Sequence, residues 1–88
     1  SKNVYLEATS KIGSYCMILS NSTIGHDCIV ENNCFIGPGA HLLGGVYVME
    51  DSLIGSGSVV TKDVPDYSLV LGNPAKIICE IDKYGNRI

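Results

Sequence analysis

Charged residues are scarce in this 88-residue sequence, and basic ones are the scarcest. Six lysines and arginines stand against nine aspartates and glutamates, for a net charge of -3. A nucleic-acid footprint needs a basic stripe, so that class of partner is excluded. No apolar run approaches the roughly eighteen residues needed to cross a bilayer as a helix. No charged-then-apolar leader precedes the first strand signals, so the expected location is the cytoplasm. A 3.6-residue or heptad pattern is missing over residues 6–64, which excludes helices there. The four cysteines include no CxxC pair, which argues against a structural zinc site.

What the sequence does have is a six-residue rhythm. Apolar anchors fall at Leu6, Ile12, Ile18, Ile24, Val30, Ile36, Leu42, Val48, Ile54 and Val60 without a missed beat. Two positions before the next anchor runs a column of small or medium residues: Ser10, Cys16, Ser22, Cys28, Cys34, Ala40, Val46, Ser52, Ser58 and Val64. Three residues after each anchor from Ile18 onward come Asn21, Asp27, Asn33, Gly39, Gly45, Asp51, Gly57 and Asp63. Gly, Asn and Asp tolerate positive φ, so this third column predicts a tight turn in every hexad. One outward residue separates the two inward positions, which is strand alternation. Short strand and turn repeated every six residues describe a hexapeptide β-solenoid. At this length it is one small domain near the lower limit for a self-sufficient core.

These hexads, with the closing segment VTKDVPDYSLVLGNPAKII, resemble the hexapeptide-repeat acyltransferases over residues 6 to about 78. The resemblance implies an all-β, left-handed parallel β-helix of about three coils, three hexads to each coil of eighteen residues. Pro65 and Pro74 end the repeat near Val64. The expected organisation is a lead-in over 1–5, the β-helix over 6–65, and a closing loop and tail over 66–88. Within the family, IGHDCIV followed by GPGAHLLGGV looks most like the bacterial sugar acetyltransferases of the NeuD and PglD type. That implies acetyl-CoA as cosubstrate, a small-molecule sugar acceptor (an amino-sugar or nucleotide-linked sugar), a homotrimer and no metal.

With eighteen residues per coil, Met17, Phe35 and Leu53 stack on one face. Thr23, His41 and Val59 stack on a second, and Lys11, Ile29 and Tyr47 on a third. The first ladder is apolar and suits burial between subunits; scattered surface apolars are the alternative. Cys16 and Cys34 lie one coil apart in the small column, close enough for a bridge. Serine and alanine share that column, so size alone explains the cysteines and free buried thiols are expected.

His26 is the residue the repeat does not require. On its own it reads as a solvated turn histidine. In the resembled enzymes, a histidine followed by an acidic residue at this place is the catalytic base, which His26 and Asp27 match. An acceptor must lose a proton as it attacks a thioester, and imidazole titrates near working pH. Asp27 also belongs to the turn column. Gly44 lies one coil beyond His26; the resemblance gives its backbone N–H the role of oxyanion donor, while turn geometry within Gly44-Gly45 is the alternative. The second histidine that relatives often carry nine residues later is Phe35 here. Lys62, one coil past Gly44, and Pro74, Ala75 and Lys76 of the closing loop are the expected contacts of coenzyme A. His41 reads as solvated, intersubunit or groove-lining. The expected function is acetyl transfer to a sugar with His26 as general base; a non-catalytic assembly module or the catalytic fragment of a longer enzyme is the alternative. A zinc enzyme of the carbonic-anhydrase type, the other class on this solenoid, needs three histidine ligands where only two histidines exist.

Overall fold

The computed structural model describes residues 4–88; the first three residues of the expected lead-in lie outside the described part. Ten two-residue strands follow the hexads: β1 (Tyr5–Leu6), β2 (Lys11–Ile12), β3 (Met17–Ile18), β4 (Thr23–Ile24), β5 (Ile29–Val30), β6 (Phe35–Ile36), β7 (His41–Leu42), β8 (Tyr47–Val48), β9 (Leu53–Ile54) and β10 (Val59–Val60). Two longer strands close the chain, β11 (Ser68–Gly72) and β12 (Ala75–Glu80). Three sheets form the walls of a parallel solenoid, ordered β1-β4-β7-β10, β2-β5-β8 and β12-β11-β9-β6-β3. The three outward ladders pair as expected: Met17 with Phe35 and Leu53, Thr23 with His41 and Val59, Lys11 with Ile29 and Tyr47. Among the described residues no helix is long and apolar enough to cross a membrane.

The turns take the predicted conformation. Asn21, Asp27, Asn33, Gly39, Gly45, Asp51 and Gly57 all have φ between 59° and 80°. The column also extends backward to Thr9 and Tyr15, at 65° and 61°, residue types the turn signal does not include. A β-branched or bulky residue there is an outlier that its surroundings must hold in place.

The solenoid is longer than expected, about four turns. β11 runs parallel to β9, pairing Leu69 with Leu53 and Val70 with Ile54 at a separation of sixteen residues. Val64 likewise bridges Val48, sixteen residues away, and not Val46 as the eighteen-residue frame predicts. The last coil is therefore two residues short, with the break between Val60 and Val64. Asp63 correspondingly leaves the turn column: its φ is not positive, and its Oδ1 accepts the Tyr47 N–H at 3.0 Å. The tail is more ordered than a loop, because β12 turns back antiparallel on β11 and Ile81 bridges Arg87.

The core is the anchor column and the small column together, from Ile24 to Val70. Leu6 departs from the anchor pattern and is half exposed, since no coil of the described residues lies beneath it. The small column does more than save space. Ser22 Oγ donates to the Gly37 carbonyl at 2.8 Å, and Cys16, Cys28 and Cys34 donate in the same way to Glu31, Leu43 and Met49 at 3.0–3.2 Å. Ser22 and the three cysteines thus each send one short donor to the next coil, whereas Ser10 donates within its own hexad to the Glu7 carbonyl. All four cysteines are free. Burial pushes the Cys34 thiol up to about 11. At pH 8 roughly one Cys34 in a thousand is then thiolate, the reactive form. In a thiol titration at that pH, Cys28 and Cys34 are expected to stay unlabelled until denaturant is added. Labelling of Cys34 as fast as in denaturant would mean that the coils open.

On the Met17, Phe35 and Leu53 face, only Met17 is largely open. Residues 81–85 of the tail lie across from Phe35 and Leu53, enclosing a cleft of about 230 Å³. Part of the apolar ladder is thus shielded by the chain itself.

Candidate active site

His26 stands at the corner just beyond β4, and the coil above places Gly44 against it. A Cβ on Gly44 would lie 2.5 Å from His26 Nε2 and 2.6 Å from Cε1, so the imidazole rests over the bare Gly44 backbone. This separates the two glycines. Gly45 supplies the turn, with φ 80°, and its N–H is used by the His26 carbonyl at 2.9 Å. Gly44 needs no left-handed turn. It is glycine because a side chain would displace the histidine, and its N–H has no partner among the described residues. Other hexads also leave this N–H unpaired, so what marks Gly44 is the open backbone beside an imidazole.

His26 Nδ1 lies 3.3 Å from Asp27 Oδ2, with both side chains about two-thirds exposed. Asp27 thus serves the turn, with φ 59°, and also meets the histidine. Its other oxygen, Oδ1, accepts from the Thr9 hydroxyl one coil below, which in turn accepts the Asp27 N–H at 3.1 Å. The Thr9 hydroxyl first, and His26 second, hold the Asp27 carboxyl below its ordinary value of 3.8. A lowered folded pKa means these bonds are fully present above that value and are lost only as pH falls below it. Across the neutral range Asp27 is a carboxylate and accepts only, so a neutral His26 that bonds to it donates from Nδ1 and leaves the Nε2 lone pair free. Thr9 is the residue that reading the turn column forward from Ile18 missed. Its signal was present: it lies eighteen residues before Asp27, a β-branched type at a turn position.

The four expected cofactor contacts also come together. Lys62, Pro74, Ala75 and Lys76 line one cavity of about 300 Å³ at the end of the solenoid, floored by Val60, Val64 and Val70. The cavity has an apolar floor, and its wall carries two lysines together with the Asp63 carboxylate. Lys62 is two coils above His26 on the same corner, about 10 Å along the axis at strand spacing. His41 lies apart from that corner, in β7, where its Nδ1 meets the Thr23 hydroxyl at 2.5 Å. Phe35 sits on the tail-covered face. Among the described residues, no three His, Cys, Asp or Glu side chains gather closely enough to hold a metal ion.

The family model for the bacterial transferase hexapeptide (six repeats) matches residues 27–62. A Staphylococcus aureus (strain COL) protein provisionally named an acetyltransferase is 47% identical over 53 residues, covering 60% of this chain and 27% of that protein. A serine acetyltransferase of Synechococcus elongatus is 36% identical over 83 residues, covering 85% of this chain and 34% of its own. The structure of serine acetyltransferase in complex with coenzyme A from Brucella abortus strain S19 superposes with a TM-score of 0.84 at 30% identity, over 92% of this chain and 38% of that one. The chain thus spans about a third of the length of these relatives. With its unbroken hexads, parallel solenoid and these matches, the chain is similar to the hexapeptide-repeat transferases, with acetyltransferases among its relatives.

Proposed function

We propose that this chain is the catalytic β-helix of an acetyl-CoA-dependent acetyltransferase acting on a small-molecule acceptor, with His26 as general base. The observation that carries this reading is the corner itself: an imidazole tied through Nδ1 to a carboxylate, its Nε2 free over an unpaired backbone N–H. His26 Nε2 takes the proton from the acceptor amine or hydroxyl as that group attacks the thioester carbonyl. Asp27 stabilises the imidazolium so formed. Gly44 N–H donates to the developing oxyanion. His26 then returns its proton to the departing thiolate sulfur. Lys62 and Lys76 bind the phosphates of the acyl carrier, while Pro74 and Ala75 shape the wall beside them.

The acceptor has two readings. The IGHDCIV and GPGAHLLGGV stretches support an amino-sugar or nucleotide-linked sugar; the serine acetyltransferase relatives support an amino-acid hydroxyl. Homotrimer formation belongs to the same reading, with the Met17 end of the apolar ladder as the part left open for contact. So does a cytoplasmic location, where free thiols persist. The first test is calorimetric titration of the purified chain with acetyl-CoA, with solution mass measured alongside. Micromolar binding is expected, and release of free coenzyme A is then followed with serine and with a panel of amino-sugars. Turnover of serine alone would replace the sugar reading. A trimer that binds no acetyl-CoA would leave the solenoid as an assembly module.

A further inference from the structure

Up to the shortened last coil, where Tyr67 N–H donates to Glu50 seventeen residues earlier, the turn rungs of this solenoid follow one rule with one exception. The backbone N–H of each turn residue donates to the carbonyl nineteen residues earlier: Asn33 to Ser14, Gly39 to Ser20, Gly45 to His26, Asp51 to Asn32 and Gly57 to Pro38, all at 2.9–3.1 Å. For Asp27 that carbonyl belongs to Ala8, yet the Asp27 N–H donates to Thr9 Oγ1 instead. The hydroxyl has entered the ladder, touching the Ala8 carbonyl and Asp27 Oδ1 as well. It has one proton to give, and the carboxylate is the stronger acceptor. This occurs one coil below the histidine corner and at no other turn rung between described residues.

The geometry points to Thr9 as a positioning residue for His26: its hydroxyl, wedged into the ladder, fixes the Asp27 carboxylate where it accepts the Nδ1 proton and so keeps Nε2 unprotonated beside Gly44. This rests on the reading of His26 as the base. The need for such a device follows from exposure. With Asp27 and His26 each about two-thirds open to water and 3.3 Å apart, their attraction is screened and competes with free rotation of both side chains. Two bonds from Thr9 to one residue, at its N–H and at Oδ1, restrict that rotation. Thr9 itself occupies φ 65°, where a β-branched residue persists only if its neighbours hold it. Among the described residues, Thr9 and His26 are the groups that act on the Asp27 carboxyl.

The test reads the tautomer of His26 directly, from the 15N chemical shifts of its ring nitrogens in the full chain, at a pH above the imidazole titration. Thr9→Val and Thr9→Ala each remove the hydroxyl; Thr9→Ser restores it without the β-branch. In the wild type and Thr9→Ser, Nδ1–H is expected to predominate. In Thr9→Val, Thr9→Ala and Asp27→Asn, the Nδ1–H to Nε2–H ratio is expected to fall several-fold. An unchanged ratio in both hydroxyl-less variants would overturn the proposal, as would a wild type already in the Nε2–H form. Should Thr9→Val not fold, Thr9→Ala carries the same decision. No acyl donor is present, so failure to bind acetyl-CoA and failure of the tautomer shift are separate results.

Discussion

Replacing His26 with alanine is expected to lower kcat by about 10²- to 10⁴-fold, the range a positioned general base contributes. The fold should be unaffected, because the side chain is two-thirds exposed and meets the next coil only where Gly44 has no side chain. Thermal midpoints within about 3 °C of each other are anticipated for the two proteins. Acetyl-CoA binding should also persist, since Lys62 and Lys76 line a cavity at the end of the solenoid to which His26 does not contribute. The decisive measurement is release of free coenzyme A against an acceptor that the wild type uses. Activity within threefold of wild type would remove His26 from the base role and leave the corner without a proton acceptor.

The largest stability effect is expected at Ile36. It is fully buried in the middle of a column, with Ile18 one coil below and Ile54 one coil above. Truncation to alanine opens a cavity that the coils cannot close, because backbone hydrogen bonds between strands hold their spacing. Such a site sits toward the costly end of large-to-small core changes, about 2–5 kcal/mol. That is a large fraction of the 5–15 kcal/mol or so that stabilises a domain. At roughly 4–8 °C per kcal/mol for a chain of this size, the thermal midpoint should fall by at least about 10 °C. The matching change at Leu6, already half exposed, should cost much less. Equal losses at both positions would mean that the interior is not the continuous column described.

The sequence makes most of this fold legible because one physical demand recurs. A triangular coil has three corners, and each needs a residue that tolerates positive φ, so Asn21 to Gly57 announce themselves by type. Ile24, Ile36 and Ile54 do the same through burial. Legibility ends where identity and role separate. Thr9 and Tyr15 take the turn conformation although nothing in their chemistry favours it, so their column reads as broken at the start. Val64 is apolar and correctly spaced, yet it pairs two residues out of frame because the chain shortens after Val60. No residue type signals a deletion of that kind. At the site, His26, Asp27 and Gly44 could be placed by counting eighteen, and Lys62 with Pro74, Ala75 and Lys76 by the closing segment. Counting eighteen back from Asp27 also reaches Thr9, but not what it does there, since that depends on a hydroxyl displacing a backbone rung and side-chain intrusion has no period.

The sixteen-residue final coil bears on how copies of this molecule can meet. A parallel solenoid is open at its ends, and another copy stacking coil on coil would extend it as a fibre. Continuation needs three strand edges running in one direction at the repeat spacing. At this end the chain offers only one of them, β10. The edge above β8 is reduced to the single Val64 bridge, and the edge above β9 is taken by β11, whose outer side is occupied by β12 running the opposite way. The shortened coil and the β11–β12 hairpin together convert a repeating surface into a terminus, and growth by addition at that end has no template.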